Sequence, residues 1–177
     1  MVIKTGGADI LSASLEDYLK GIFHIIAEKQ AARAKDISER LNVNSSSVTG
    51  ALHALAKREL INYEPYDIIT LTEKGKMVAE DVIRRHDALR DFFVKVLQVD
   101  EIVAEEGACK MEHAVPTPIL DRLIKFVQFV EVCPRAGTEW IKESRYYCQH
   151  GKARENCEMC ISLCLEALRK GKIGGKD

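Results

Sequence analysis

Cys109, Glu112 and His113 lie in the stretch CKMEH, which sets a thiol, a carboxylate and an imidazole at i, i+3 and i+4. On a helix these three side chains share one face and can converge on a point. The combination suits a borderline divalent transition metal, whereas calcium and magnesium favour oxygen donors. A second group of donors crowds the end of the chain: Cys133, Cys148, His150, Cys157, Cys160 and Cys164. The Cys157-x-x-Cys160 pair is the usual first half of a tetrahedral zinc site, and Cys148 or His150 can complete it. Cys157, Cys160 and Cys164 also share one helical stripe with Ile161 and Leu168. An iron–sulfur cluster and a metal-free apolar core therefore stay open beside structural Zn2+.

The elements around these donors read as mainly α-helical. Residues 14–29 carry apolar side chains at helical spacing, with Ser14 as N-cap and Asp17 as its capping-box partner. AKDISERL gives a short second helix, and SSSVTGALHALAKREL a third, capped by Asn44 or Ser45. Helix, short turn, helix is a helix-turn-helix layout. Ile61–Glu64 and Ile68–Thr72, flanking a turn around Pro65–Asp67, predict a β-hairpin wing. Beyond it, residues 73–97 read as one long helix and residues 99–111 as another. A further helix is capped by Thr117, has Pro118 in its first turn, and runs to about Val130. The middle of the chain, with Leu89, Phe92, Phe93, Val96, Leu97, Leu120, Leu123, Ile124, Val127 and Val130, holds more apolar surface than a small helical unit hides by itself. A dimer interface is expected there, with a self-contained core as the alternative. EVCPRAGTEW reads as a loop, and the last residues, RKGKIGGKD, as a disordered basic tail.

At 177 residues, 46% hydrophobic and 30% charged, the chain is an ordinary globular protein long enough for one domain or two small ones. It carries no apolar run of membrane-spanning length and no secretory signal, so a cytoplasmic protein without a membrane partner is expected. Six cysteines in that setting point to metal or redox chemistry and away from a disulfide framework. The net charge of −1 gives no global sign of nucleic acid, but Arg33, Lys35, Arg40, Lys57 and Arg58 outnumber the acids around the helix-turn-helix. Zincin-type, glycine-rich phosphate-binding and nucleophile motifs are all missing, so an enzyme is not expected. A metal site beside a DNA reader suggests a metal-responsive transcription factor. A metal-independent winged-helix regulator with a small-molecule or redox effector is the alternative.

SLEDYLKGIF, NSSSVTGALHALAKRELI, LTEKGKMVAEDVIRRH and CKMEH, in that order, resemble the diphtheria toxin repressor family of iron- and manganese-dependent transcriptional repressors. The resemblance covers about residues 14–131. It implies a homodimer that binds a palindromic operator in double-stranded DNA when loaded with a divalent metal. It carries the primary ligands onto Asp17, Cys109, Glu112 and His113, and a second-site histidine onto His86. Asp17 matches the manganese branch and Cys109 the iron branch. Lys20 replaces a glutamate of the manganese branch. Arg90 and Glu105 stand where the iron branch has a glutamate and a histidine, which puts a second metal in doubt and leaves Glu105 a possible ligand. The SH3-like third domain of longer iron repressors has no counterpart.

The soft thiolate favours Fe2+ over Mn2+. An ion held by Asp17 of the reader and by the later ligands would fix the spacing of two reading heads, as half-sites about one helical turn apart demand. Ser45, Ser46, Ser47 and Thr49, with Asn44, crowd the start of the third helix, where hydroxyls and free N–H groups suit phosphates and base edges. Arg33 and Lys35 are candidate phosphate contacts. Gly50 stands where the iron branch has glutamine, so a different operator is expected. The expected organisation is a flexible 1–13, a winged helix-turn-helix at 14–75, a helical metal-binding and dimerisation domain at 76–131, and a Cys-rich segment at 132–177.

Overall fold

The computed structural model describes residues 11–64, 68–132, 138–151 and 166. These form seven α-helices and a two-stranded antiparallel sheet. The chain divides between Arg84 and Arg85 into two compact units, each with its own core.

In the amino-terminal unit, α1 (Ala13–Lys29), α2 (Ala34–Leu41) and α3 (Ser45–Lys57) pack around Leu19, Ile22, Ile25, Ile37, Val48, Leu52 and Leu55. Apolar residues recur every three or four positions on each helix, so one stripe of each faces inward. The cap of α1 is Ser12, whose hydroxyl accepts the Leu15 N–H at 3.4 Å. The expected cap, Ser14, lies inside the helix, because the chain is already helical at Ala13. Asn44 caps α3 by accepting the Ser47 N–H at 2.8 Å. The α2–α3 turn depends on Asn42, at φ 51°, a left-handed conformation that asparagine tolerates. Lys29 donates to Asp36 and holds that carboxyl below its ordinary range. Asp36 also accepts the Arg33 N–H at 3.1 Å, at the entrance of α2.

The hairpin is shorter than its sequence pattern. β1 (Ile61–Asn62) and β2 (Thr70–Leu71) pair antiparallel, with Ile61 opposite Leu71 and Asn62 opposite Thr70. Ile69 adds a bridge to Ala32, which ties the wing to the helix-turn-helix. The expected turn at Pro65–Asp67 lies outside the described residues.

The helix expected over residues 73–97 runs as α4 (Glu73–Asp91) and then as a π-helical turn, Phe92–Val96. Here the Leu97 N–H reaches back to the Phe92 carbonyl at 3.1 Å, and Gln98, at φ 52°, ends the run. Such a wide turn admits one extra residue into the helix and re-aims the side chains that follow. Next come α5 (Glu101–Met111), α6 (Thr117–Val132) and α7 (Thr138–His150). Of the region expected to be a loop, residues 131–140, the two described ends are helical: Glu131 and Val132 end α6, and Thr138 begins α7, while residues 133–137 lie outside the described residues. Thr117 is the first residue of α6, not its cap.

Ala88, Leu89, Ala108 and Leu120 make one core cluster of the carboxy-terminal unit, and Val96, Val127, Val130 and Ile141 another. Much of the apolar set expected at a dimer interface is thus consumed within the chain. Ile119, Phe126, Phe129 and Val132 on α6, with Ile102 and Val103 on α5, are instead exposed. No helix among the described residues is long and apolar enough to cross a membrane.

Candidate functional site

The carboxy-terminal unit brings together five of the expected metal donors. His86 comes from the middle of α4, and Glu105 and Cys109 from successive turns of α5. One donor atom from each of these three lies within 4.8 Å of the others. Helix α5 ends at Met111, and Glu112 is its C-cap. Glu112 keeps helical dihedrals, and its N–H still reaches the Ala108 carbonyl at 2.9 Å. The helical spacing of CKMEH therefore survives past the last regular turn, with His113 in the turn that follows.

Glu112 is fully buried at 0% exposure, a costly place for a carboxylate unless it is paired. Its Oε2 lies 2.6 Å from His86 Nδ1 and its Oε1 3.4 Å from His113 Nε2. Cys109 Sγ lies 3.9 Å from the same His86 Nδ1. Arg85 donates to the Glu112 carbonyl at 3.0 Å and fixes the turn from the α4 side. A buried carboxylate between two imidazoles, with a thiol beside it, is a donor set that fits a borderline divalent transition metal. Asp17 is an exposed residue of α1 in the amino-terminal unit.

Sequence reasoning missed a chain of charges running from this cluster along α4 and α5. His86 Nε2 lies 3.0 Å from Glu105 Oε1, Arg90 Nε 3.3 Å from Glu105 Oε2, and Arg90 Nη2 3.5 Å from Glu101. The spacings offered a signal, since residues 86 and 90 on one helix and 101 and 105 on the other each lie one turn apart. Which helix faces which was not in the sequence.

Among the tail donors, Cys148 and His150 lie on α7, both exposed. They stand two residues apart, and residues at that spacing do not face each other on a helix. His150 instead stacks on Tyr146, ring centroids 4.1 Å apart, with Nδ1 2.9 Å from the Tyr146 carbonyl. Cys133, Cys157, Cys160 and Cys164 lie outside the described residues.

The expected DNA-reading residues gather on the outer side of the helix-turn-helix. Asn44, Ser45, Ser46, Ser47, Thr49 and Gly50 are all exposed at the start of α3. Ser46 donates to the Asn44 side chain at 2.7 Å and Thr49 to the Ser45 carbonyl at 3.0 Å. A Cβ added at Gly50 would meet nothing within 4 Å, so the space beside it is open. Arg33 and Lys35 are exposed at the start of α2. His53, which the sequence reading passed over, is exposed one turn beyond Thr49 and packs edge-on against Tyr63 next to β1, centroids 5.4 Å apart.

Two family models cover the chain in succession. Residues 10–69 match the N-terminal DNA-binding domain of the iron-dependent repressors, and residues 72–141 match their metal-binding and dimerisation domain. An uncharacterized HTH-type transcriptional regulator of Methanocaldococcus jannaschii is 40% identical over 119 residues, 67% of this chain and 95% of that protein. Among solved structures, the manganese regulator SloR is 29% identical with a TM-score of 0.59, over 70% of this chain and 58% of that one. IdeR of T. acidophilum is 28% identical with a TM-score of 0.59, over 71% of this chain and 59% of that one. This chain thus spans under two thirds of the length of those two repressors. The protein belongs to the iron-dependent repressor family, and so to the metal-dependent transcriptional regulators; it is not an enzyme.

Proposed function

We propose that the protein is a repressor whose homodimer binds a palindromic operator when each chain holds a divalent transition metal, Fe2+ in the first instance, and that it controls genes of metal homeostasis. The observation that carries this reading is the buried Glu112 carboxylate between His86 and His113, with Cys109 beside it. In this reading Cys109, Glu112, His113 and His86 hold the ion, and Asp17 joins them from the DNA-binding unit, as the family resemblance implies. The bound ion supplies a fixed divalent charge that ties the ligands of the two units together. Metal and DNA affinities are then coupled reciprocally, typically by ~1–3 kcal/mol. The thiol supports iron, while the manganese regulator SloR among the relatives supports Mn2+ as the second reading. Titration of metal-free protein with Fe2+ or Mn2+ under anaerobic conditions, followed at each step by operator binding, tests the proposal. Metal-independent binding would point instead to a regulator with another effector.

The exposed apolar stripe of α6 supports the dimer. Ile119, Phe126 and Phe129 are each more than two fifths exposed, and contiguous surfaces of that kind mark protein contacts. Sedimentation should give a dimer at micromolar concentration, and Phe126→Glu with Phe129→Glu should give monomers with much weaker operator binding. A monomeric parent would overturn the dimer.

Operator affinity should fall steeply with salt. Two reading heads that make about six phosphate contacts in all should lose about 10³-fold between 50 and 200 mM salt. A flat response, or equal affinity for random duplex, would remove the case for sequence-specific repression.

We propose that the tail donors Cys148, Cys157 and Cys160, with Cys133 or Cys164 as candidates for the fourth place, hold a structural Zn2+ distinct from the regulatory ion. Elemental analysis of anaerobically prepared protein after mild chelation should find about one metal per chain, since closed thiolate-rich sites release zinc slowly.

A further inference from the structure

The geometry points to Glu105 as the positioning residue of His86 and to Arg90 as its anchor, with neither in the ligand set. The inference rests on the metal site proposed above and settles which His86 nitrogen serves it. An imidazole has two nitrogens whose bonding directions diverge. Nδ1 faces the cluster, 2.6 Å from Glu112 and 3.9 Å from Cys109. Nε2 faces the other way, 3.0 Å from Glu105 Oε1. Both nitrogens face carboxylates, which only accept hydrogen bonds; an ion taken up by Glu112 displaces the proton from Nδ1, and Glu105 holds the remaining ring proton on Nε2. The second oxygen of Glu105 lies 3.3 Å from Arg90 Nε, and Arg90 also reaches Glu101 at 3.5 Å. The guanidinium therefore supplies the positive charge on the outer side of Glu105 and keeps this carboxylate from turning inward. A histidine ligand steadied through its far nitrogen is oriented and made a better donor, and losing such a partner typically costs about 10–100-fold in metal affinity.

The competing assignment makes Glu105 a ligand, with the ion on Nε2. Less favours it: Glu105 is half exposed and already paired with Arg90, whereas Glu112 is buried against Nδ1.

Co2+ binding to the full chain separates the two. The signal to follow is the thiolate-to-cobalt absorption lost in Cys109→Ser, which sets aside the tail cysteines. Glu105→Ala should lower Co2+ affinity by about 10–100-fold, measured by chelator competition, without moving the visible bands. Glu105→Gln keeps an oxygen that accepts from Nε2 and should recover most of that loss, and Arg90→Gln should give an intermediate loss, again with unmoved bands. Shifted bands in both Glu105 variants, with Gln no better than Ala, would make Glu105 a ligand and overturn the inference. Unchanged affinity in Glu105→Ala would overturn it by making Glu105 a surface acid. If the parent shows no Cys109-dependent absorption, the metal site itself falls and this inference with it.

Discussion

Glu112→Ala should abolish metal-stimulated operator binding while leaving the helices intact. The carboxylate is completely buried and lies against both His86 and His113, so its removal takes away the donor that joins the two imidazoles. Losing a direct ligand should exceed the cost of losing an outer partner, so metal affinity should fall by at least about 100-fold. The fold has less to lose. Arg85 bonds to the backbone carbonyl of residue 112, which alanine keeps. Removing the buried carboxylate also removes its desolvation cost, which offsets part of what its contacts with the two imidazoles contribute. Helical circular dichroism and the melting transition of the metal-free protein should therefore stay close to the parent's. His113→Ala should behave alike, with a smaller loss because His113 is less buried. If either variant answers Fe2+ or Mn2+ in the operator assay as the parent does, the site is assigned to the wrong residues.

The grouping of Cys109, Glu112 and His113 was legible because they sit close together in sequence: they need only helical dihedrals to share a face, and those persist through Glu112. His86 came from the family resemblance, and only the packing of α4 against α5 shows that it touches Glu112. The link from His86 through Glu105 to Arg90 stayed hidden for the same reason, since each contact crosses from one helix to another. The helix-turn-helix was legible from apolar spacing and cap residues, with the start of α1 misplaced because Ser12 and Ser14 are both good caps. The π-helical turn at Phe92–Val96 left no mark, because its residues are those of an ordinary apolar helix. Loop chemistry in EVCPRAGTEW misled at the two ends of that stretch, where Glu131 and Val132 close α6 and Thr138 opens α7.

Gly75 carries the largest stability prediction and shows a requirement that sequence alone conceals. In the first turn of α4 a Cβ at this position would lie 1.8 Å from the Leu60 carbonyl oxygen and 2.7 Å from its carbon. Those are backbone atoms, so no rotamer change can make room. The same approach is fastened on every side: the Thr72 N–H reaches the Leu60 carbonyl at 3.1 Å, the Thr72 hydroxyl donates to the Glu59 carbonyl at 2.7 Å, and Lys74 donates to the Arg58 carbonyl at 2.9 Å. Gly75→Ala must therefore push α4 away from the end of α3 and strain or break these bonds. Overpacking of this kind costs about 3 kcal/mol, which for a unit this size lowers the melting temperature by roughly 10 °C or more. Gly50→Ala supplies the contrast. Gly50 is exposed within α3 with open space around it, so alanine should stabilise that helix by about 0.5–1 kcal/mol through propensity alone. Denaturant titration of the two variants should thus move in opposite directions from the parent. A Gly75→Ala protein as stable as the parent would mean that the first turn of α4 does not press on Leu60 in solution.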